Sequence, residues 1–341
     1  MEKLREAKLN LGKLDPKLLE KLVLKHQGAE RPEVVFAGSV GRDCGILRLG
    51  EVLLALSCDP ITGTAQGIGT LAPHVVANDL ICAGAEPVGV LLSLLFPPLT
   101  TPQEVALVME ETDQTCRKLQ ISILGGHTEI TDAVSRVIVH CAGVGRVLCD
   151  PPPDPTRIQP GDYILMTKGA GIEGTAILAR EKEEKLRAVF PEELLHRAQS
   201  LMEQISVVEE GRVALTFPVH CLHDATEGGI LGGVWEAVEA AGCGFYLEEE
   251  KVTVYPETEA LARHFQIDPL TLIGSGSLLI FTDHPEPLLF ALREKGITAS
   301  CIGKVTAKDT RCIKRKNGKE EEIRECPQDA LWKIMEATRK E

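Results

Sequence analysis

Acidic side chains beside turns, together with one Asn-Asp pair inside an apolar helical pattern, are the first residues of this sequence suited to chemistry. Asp43 lies in the glycine-bracketed segment GSVGRDCG, Asp59 ends the run LLALSCD, and Asp79 follows Asn78 within an apolar stretch. A lone carboxylate at a strand end is commonly a turn former or a helix cap. Three carboxylates gathered together require a cation, and hard oxygen ligands favour Mg²⁺ with phosphates completing its shell. These residues therefore predict a magnesium site.

The segment LGGHTEIT, residues 124–131, adds a second polar group after an apolar strand pattern. Gly125 and Gly126 allow the backbone to approach a ligand closely. His127, Thr128 and Glu129 then offer a ring donor, a hydroxyl and a carboxylate on what the pattern predicts to be a turn. The histidine suits a metal ligand, a general base, or a structural polar residue where a strand ends. Its role depends on which other residues converge on it.

Two glycine-containing segments in the second half of the chain have the spacing of ligand-binding loops. KGAGIEGT contains G-x-G-x-x-G after a strand pattern, but the second strand and acidic residue of a dinucleotide site do not follow. In HCLHDATEGGILGG the two histidines would point to opposite faces of a strand, which disfavours a zinc site. Asp224, Thr226, Gly228 and Gly229 form a loop that opens a helix. Its free amides suit an anion, and an ordinary N-cap is the equal alternative.

The elements that must position these residues follow from periodicity. The first 150 residues predict a β-β-α-β-α-β-β order, an α+β layer with helices on one sheet face. Five prolines in CDPPPDPTRIQPGD, residues 149–162, exclude a helix or central strand and mark a domain boundary. Residues 151–310 repeat the alternation of strands and helices. Residues 311–341 are predicted to form a hairpin around Asn317-Gly318 and a final helix that begins at Pro327.

Composition limits the classes of function. A formal net charge of −13 argues against a nucleic-acid surface, although backbone amides and Mg²⁺ still permit ATP binding. No apolar run approaches the ~18 residues of a membrane span, and the first residues, MEKLREAKLNLGK, lack the apolar core of a signal peptide. The 11 cysteines contain no C-x-x-C pair, which favours reduced thiols. The sequence therefore predicts a cytoplasmic protein without a membrane or nucleic-acid partner.

The order of the motifs resembles the aminoimidazole-ribonucleotide (AIR) synthetase superfamily over about residues 10–310. These motifs are GSVGRDCGIL, LSCD, NDLICAGAEP, GGHTEI, HDATEGGI and GSGSLLI. NDLICAGAEP is similar to the family's Asn-Asp-x-x-x-x-Gly-Ala-x-Pro helix end, a fairly specific signature. The arrangement is most similar to the HypE hydrogenase maturation factors and the AIR-synthase-related proteins. The resemblance implies a two-domain PurM-like fold, each domain a mixed sheet covered by helices, and homodimers formed through the N-terminal domains.

The resemblance also implies ATP bound with Mg²⁺ in a cleft lined by carboxylates and glycine loops of the first domain. The residues implied to hold Mg²⁺ are Asp43, Asp59, Asp79 and Glu129. Those implied to bind the nucleotide are Asp43, Asn78, Gly125, Gly126, Thr128, Gly228 and Gly229, with Asn78 positioning the helix of Asp79. Those implied to act in catalysis are Asp79, His127 and Asp224. His127 stands where thiamine-phosphate kinases and HypE have an aspartate and selenophosphate synthetases have a histidine, and Glu129 is expected to restore the lost charge.

Two departures from the family restrict the expected activity. HypE acts on a cysteine at the end of a flexible tail, whereas this sequence ends MEATRKE and its last cysteine, Cys326, precedes a predicted helix. The reactive Cys and Lys loop of selenophosphate synthetases has no match. The sequence therefore predicts an ATP- and Mg²⁺-dependent enzyme that transfers the γ-phosphate to an oxygen of an unidentified small-molecule or protein acceptor, in hydrogenase or other metallocentre maturation. The alternative is a non-catalytic nucleotide-binding scaffold in metalloenzyme maturation.

Overall fold

The structure, a computed structural model, describes residue 9 and residues 11–339. The chain forms two mixed sheets with helices packed on them. A short helix, α1 (Pro16–Leu19), precedes the first sheet and continues as a π-helical turn over Glu20–Leu24. Asp15 begins this helix, because its carboxylate accepts two backbone hydrogen bonds of the first turn.

The first sheet has six strands in the order β1-β2-β3-β6-β4-β5. The strands are β1 (Val34–Phe36), β2 (Gly45–Leu49), β3 (Val52–Ile61), β4 (Ala85–Phe96), β5 (Ser122–Ile130) and β6 (Ile138–Val147). Among them, β4 and β5 pair in parallel and the other neighbours are antiparallel. The sequence predicted every strand of this sheet except β1, which is too short to show a periodicity.

Two helices, α2 (Ile68–Cys82) and α3 (Pro102–Leu119), cover one face of the first sheet. Helix α2 packs on β3, β4 and β6, and α3 packs on α2 and β5. Helix α3 begins with a capping box between Thr101 and Glu104. Nearly every residue of α2 is buried, because the helix lies between the sheet, α3 and the second domain. Helix α2 is thus the central element of the molecule.

Strand β5 extends further than the sequence indicated. The GGHTEI segment was predicted to be a turn, but the strand continues through it to Ile130. The reason is pairing with β4, because Gly126 lies opposite Leu92 and His127 opposite Ser93, so a parallel neighbour satisfies the backbone of this segment. β5 is an edge strand of the sheet, and its side chains from residue 124 onward are exposed.

The second sheet has seven strands in the order β13-β12-β9-β11-β7-β10-β8. The strands are β7 (Tyr163–Thr167), β8 (Cys221–Asp224), β9 (Gly244–Glu248), β10 (Leu278–Thr282), β11 (Ala299–Thr306), β12 (Arg311–Lys314) and β13 (Glu320–Glu322). The predicted hairpin, β12–β13, joins this sheet because β12 pairs in parallel with β9. Both neighbours of β7 are antiparallel. The G-x-G-x-x-G segment after β7 therefore lacks the parallel βαβ unit of a dinucleotide fold.

The helices of the second half surround this sheet and the junction between the domains. They are α4 (Ile172–Glu181), α5 (Glu183–Arg187), α6 (Glu192–Ser200), α7 (Val208–Ala214), α8 (Gly229–Ala240), α9 (Pro256–Phe265), α10 (Pro285–Glu294) and α11 (Ala330–Arg339). Helix α11 begins at Ala330 and not at Pro327, because Asp329 accepts a hydrogen bond from the Leu331 amide. Within the described part of the chain, no helix is both long enough and apolar enough to cross a membrane.

The two domains share part of one apolar core. Ile68 and Leu71 of α2 belong to the same buried cluster as Ile177 and Leu178 of α4 and Leu331 of α11. Strand β8, the edge of the second sheet, also contacts α2. This packing brings the end of β8 against the first domain, where the polar residues of both halves meet.

Candidate metal and nucleotide site

Three carboxylates from three different elements meet where the domains join. One oxygen each of Asp43, Asp79 and Asp224 lies within 4.8 Å of the other two, and we call these three residues the acidic cluster. Asp43 is exposed, whereas Asp79 and Asp224 are buried. Like charges this close are unfavourable unless protons or a cation lie between them. A set of carboxylate oxygens fits a hard divalent cation such as Mg²⁺.

Each member of the acidic cluster is placed by a separate piece of local structure. Asp79 lies on α2, Asp224 is the last residue of β8, and Asp43 lies in the loop before β2. Arg42 holds that loop in place, because its Nε donates to Asp154 of the interdomain segment at 2.8 Å. The arrangement therefore needs both domains and the segment that joins them.

Asp79 has two further polar neighbours in its buried position. Ser57 Oγ donates a hydrogen bond to Asp79 Oδ2 at 2.5 Å, and the carboxyl of Asp59 shares a hydrogen bond with that of Asp79. Burial, with the charges of Asp224, Asp59 and Asp43, raises the pKa of Asp79 well above its usual range. Burial also raises the pKa of Asp59. A bound metal ion would oppose this effect, because it favours the ionised form of the Asp79 carboxyl over the protonated form.

Asp224 has the electrostatic surroundings of an incomplete ligand site. Burial raises its pKa to about 7, although the neighbouring His223 acts in the opposite direction. Its Oδ2 is buried and has no hydrogen-bond partner among the described residues. A buried oxygen without a partner destabilises a fold by roughly 1–3 kcal/mol, so such a position is typical of one that a ligand completes. The resemblance implied a catalytic role for Asp224, and the structure brings its carboxylate beside the candidate metal ligands Asp43 and Asp79.

Three charged residues beside the acidic cluster were not assigned to it from the sequence. Lys13 Nζ lies 3.0 Å from Glu236 Oε2, and His223 lies between Asp43 and Glu236 at 3.6 and 3.7 Å. Burial opposes the charge of Lys13, but Glu236 and Asp43 outweigh it and raise the lysine pKa. Burial likewise opposes the charge of Glu236, but Lys13 and His223 lower its pKa to about 2. No local pattern around Lys13 indicates this contact.

Asn78 connects α2 to the second domain. Its Nδ2 donates to the Ile205 carbonyl at 2.9 Å, and its Oδ1 accepts from the Val207 amide at 2.9 Å. Both ends of the side-chain amide are therefore occupied by backbone. This geometry supports the positioning role expected for Asn78, whose side chain is fully buried.

The residues of the GGHTEI segment lie away from the acidic cluster within one chain. They are Gly125, Gly126, His127, Thr128 and Glu129. Asp59 on β3 is in register with Gly126 on β5, and the strands β6 and β4 lie between them. The two residues are therefore three strand spacings apart, which is roughly 14 Å. His127 Nε2 and Glu129 Oε2 are 3.1 Å apart, and both side chains are exposed. In a single chain, Glu129 therefore does not join Asp59 and the acidic cluster.

The loop before α8 is closed by the C-terminal segment. The Gly228 amide donates to Asp329 Oδ2 at 2.6 Å, across a separation of 101 residues. The expectation of a free amide at Gly228 is thus wrong, because a carboxylate of the same chain already accepts its hydrogen bond, and the Gly229 amide donates to the Thr226 carbonyl at 3.0 Å. Gly229 has a φ of 61°, and a Cβ there would lie 2.6 Å from the carbonyl oxygens of Leu270 and Leu272. This glycine serves backbone packing.

Several known proteins are similar to this chain in sequence or in fold. A putative hydrogenase expression/formation protein of Methanocaldococcus jannaschii is 25% identical over 308 residues, which cover 86% of this chain and 88% of that protein. The carbamoyl dehydratase HypE of Bradyrhizobium diazoefficiens is 25% identical over 257 residues, 73% of this chain and 72% of that protein. A crystal structure of the hydrogenase maturation protein HypE in complex with ATP has a TM-score of 0.67 at 22% identity and covers 93% of this chain and 96% of that one.

Family models match both halves of the sequence. Residues 41–147 match the N-terminal domain of AIR synthase related proteins, and residues 159–314 match the C-terminal domain. Together these matches cover more than half of the chain, and the two mixed sheets agree with the PurM-like fold of the similar structures. The chain therefore belongs to the AIR synthase related protein family.

Proposed function

We propose that the protein is an ATP- and Mg²⁺-dependent enzyme that transfers the γ-phosphate of ATP to an oxygen of an acceptor. The observation that carries this proposal is the convergence of Asp43, Asp79 and Asp224 within 4.8 Å. Two of these carboxylates are buried, and one oxygen of Asp224 has no partner among the described residues. Buried carboxylates so close together need protons or a cation. The crystallised complex of a HypE protein with ATP supports the nucleotide as the second component.

The protein's own residues would hold and orient the reactants. Mg²⁺ on the acidic cluster would neutralise charge on the triphosphate, which together with positioning is the main source of catalysis in phosphoryl transfer. Asp59 and Ser57 hold the Asp79 carboxyl in one orientation. Lys13, held by Glu236, places a positive charge beside the same carboxylates. The Asn78 contacts join α2, and with it Asp79, to the backbone of Ile205 and Val207 in the second half of the chain.

The acceptor is a small molecule or a protein group that approaches from the second-domain side of the acidic cluster. The relatives named for hydrogenase expression, formation and maturation favour a role in metallocentre maturation. Cys326 is a weak candidate for a self-modified group, because burial raises the pKa of its thiol to about 12. A thiol with so high a pKa is a poor nucleophile at neutral pH. The proposal therefore takes a separate molecule, and not Cys326, as the acceptor.

Two copies of the chain are inferred to pair through the first sheet. The sheet face away from α2 exposes Leu56 and Leu91, and the edge strand β5 exposes Leu124 and Ile130. Apolar surface of this kind commonly marks a protein interface. In such a homodimer, β5 of one copy could lie over the acidic cluster of the other. His127 of that copy would then lie beside the nucleotide bound at the acidic cluster of its partner.

Calorimetric titration with ATP, with and without Mg²⁺, tests the proposal. Binding is expected only when Mg²⁺ is present, because the acidic cluster repels the triphosphate without it. Asp224→Asn is expected to weaken the magnesium-dependent binding at least tenfold. The matched control Asp113→Asn, which changes an exposed aspartate on α3, is expected to leave it unchanged. Equal ATP affinity with and without Mg²⁺ would contradict the proposal.

A turnover assay separates the enzyme from the scaffold alternative. Phosphate release is measured with Mg²⁺, ATP and candidate acceptors from metallocentre maturation. An enzyme consumes ATP when the acceptor is present, whereas a scaffold binds the nucleotide without turnover. Magnesium-dependent binding without any turnover across the acceptor set would favour the scaffold.

A further inference from the structure

A lysine close to the start of the chain contacts the second domain beside the acidic cluster. Lys13 belongs to residues 11–15, which precede α1 and which we call the N-terminal segment. The Lys13 amide donates to Glu227 Oε1 at 2.5 Å, and its Nζ donates to Glu236 Oε2 at 3.0 Å, across separations of 214 and 223 residues. These two contacts fix the position of Lys13 against the second domain.

Gly12 allows the N-terminal segment to lie this close to the second domain. Its φ is 102°, in the left-handed region that favours glycine. A Cβ at this position would lie 2.3 Å from Glu227 Oε1 and 2.7 Å from Trp332 Nε1 of α11. A larger residue would therefore move the segment away from α11 and from the loop before α8. The backbone before Lys13 thus helps to place its side chain.

Lys13 lies at one end of a row of charged groups that leads to the acidic cluster. Glu236 Oε2 is 3.7 Å from His223 Nε2, and His223 Nδ1 is 3.6 Å from Asp43 Oδ2. Burial opposes the charge of the lysine, but Glu236, Asp43 and Asp59 outweigh burial and raise the lysine pKa. Lys13 is therefore positively charged at neutral pH, within electrostatic reach of the candidate metal ligands.

The ammonium group of Lys13 can accommodate a second partner. An ammonium has three N–H donors, and among the described residues the Lys13 Nζ donates one hydrogen bond, to Glu236. The Lys13 side chain is 39% exposed, whereas that of Glu236 is 7% exposed. An anion from solvent can therefore contact the lysine while the buried glutamate continues to hold it.

We propose that Lys13 is a catalytic residue of the phosphoryl transfer, whose ammonium group donates to the terminal phosphate of the bound Mg²⁺–ATP complex. This inference rests on the proposed function, because it needs a triphosphate at the acidic cluster. In phosphoryl transfer the metal ion contacts the β- and γ-phosphates. Lys13 is held by α8, on the second-domain side from which the acceptor is proposed to approach. The terminal phosphate is therefore the group that would face it.

Lys13 would supply charge and not a proton. In the transfer, the bond from the γ-phosphorus to the oxygen that bridges it to ADP breaks, and a bond from the γ-phosphorus to the acceptor oxygen forms. The proton of the acceptor passes to solvent, and Lys13 keeps its own because its pKa is raised. Its N–H groups would stabilise negative charge on the phosphoryl oxygens. Since Glu236 offsets the lysine charge at longer range, this effect is confined to a phosphate within hydrogen-bond distance.

Calorimetry with two nucleotides on the full chain tests this proposal. The unmodified protein and its variants are titrated at saturating Mg²⁺ with ADP and with AMPPNP, an ATP analogue whose terminal phosphate is not hydrolysed. Lys13→Met is expected to weaken AMPPNP binding by about tenfold or more, and ADP binding less than twofold, because ADP lacks the terminal phosphate. The matched control Lys17→Met, which changes an exposed lysine of α1, is expected to leave both affinities unchanged.

Two further variants separate a contact with the phosphate from a role in folding. Lys13→Met leaves the buried Glu236 without its hydrogen-bonded cation, which can destabilise a fold. Lys13→Met/Glu236→Gln removes the charge of both partners and is expected to bind the two nucleotides as Lys13→Met does. Lys13→Arg keeps the positive charge and is expected to bring AMPPNP affinity to within about threefold of that of the unmodified protein. Circular dichroism checks that each variant is folded.

The possible results distinguish a failure of this inference from a failure of the proposed function. Equal magnesium-dependent AMPPNP affinity in Lys13→Met and the unmodified protein would overturn the role of Lys13 and leave the proposed function intact. Equal losses for ADP and AMPPNP would also overturn it, because Lys13 would then only hold the N-terminal segment in place. A loss in Lys17→Met as large as that in Lys13→Met would indicate a general charge effect. No magnesium-dependent binding to the unmodified protein would contradict the proposed function itself, and the role of Lys13 with it.

Discussion

Asp79 and Glu129 are both carboxylates in or after apolar runs, yet the structure gives them opposite surroundings. Asp79 is only 4% exposed and has three other carboxylates among its neighbours. The Glu129 side chain is 47% exposed, and its recorded partner is the exposed His127. The first lies on a helix between two layers, and the second lies on an edge strand. Burial strengthens the interactions of the Asp79 carboxyl with neighbouring charges, whereas solvent screens the interactions of the Glu129 carboxylate.

The largest expected difference between the two regions concerns metal affinity. Asp79→Asn is expected to weaken Mg²⁺ binding more than 100-fold and to abolish binding of the Mg²⁺–ATP complex. The reason is that the metal ion loses one of its three charged ligands. Asparagine keeps the side-chain volume and removes the repulsion with the other two carboxylates, so the variant is expected to fold. Glu129→Gln is expected to change Mg²⁺ affinity less than twofold. Calorimetry with Mg²⁺ alone measures both, and circular dichroism checks that each variant is folded; similar losses in the two variants would remove the distinction.

The second prediction concerns the two glycines of β5. Gly126 has a φ of 151°, and a Cβ there would lie 1.9 Å from the Leu92 carbonyl oxygen, whereas at Gly125, with a φ of 143°, the nearest atom is Leu91 Cδ2 at 3.8 Å. Gly126→Ala is expected to lower the free energy of unfolding by about 3–4 kcal/mol and Gly125→Ala by about 1 kcal/mol. Urea unfolding measures both. Equal effects would mean that pairing with β4 is not what requires Gly126.

The third prediction extends the contrast to a buried carboxyl outside the acidic cluster. Burial of Glu173, with Asp329 and Asp224 adding to it and Ser275 opposing it, raises its pKa from 4.5 to about 7. The folded state therefore retains a proton that the unfolded state loses as the pH rises. The contribution of Glu173 to stability is greatest below pH 4.5 and is lost as the pH rises towards 7.

Removing this carboxyl should flatten the dependence of stability on pH. Glu173→Gln is expected to reduce the fall in unfolding free energy between pH 4.5 and 7 by about 1–3 kcal/mol. Denaturant unfolding at several pH values provides the measurement. Glu129→Gln is the exposed control and should keep the profile of the unmodified protein. An unchanged profile in Glu173→Gln would show that the carboxyl is already ionised in the folded state.

The smallest expected effect belongs to His127. His127→Gln is expected to change the free energy of unfolding by less than about 0.5 kcal/mol, because its contact with Glu129 is solvent-exposed. The same variant sharpens the dimer inference. If β5 of a partner copy covers the acidic cluster, ATP affinity falls while affinity for Mg²⁺ alone stays constant. A loss of Mg²⁺ affinity would instead place His127 beside the metal.

Elements with strong local signals were predicted well from the sequence. The amphipathic α3, with its Thr101 capping box, and the hairpin at Asn317-Gly318 both form where the patterns indicated. Elements without such signals were missed or misplaced. The strand β1 has three residues, and β5 continues through GGHTEI because β4 supplies a hydrogen-bonding partner that no local pattern reveals. Local propensity is overridden where a neighbouring strand satisfies the backbone.

By itself, the sequence determined the α+β class, the two mixed sheets, the family and the acidic residues of the first domain as metal candidates. Residue types, motifs and the periodicities of helices and strands are local properties of the sequence, and each is visible within a short segment. Only the tertiary structure decided that Asp224 meets Asp43 and Asp79, that Lys13 pairs with Glu236, and that GGHTEI lies at the sheet edge. Those contacts depend on how two sheets pack around α2. Packing of that kind is set by shape and burial over the whole core and leaves no short-range trace in the chain.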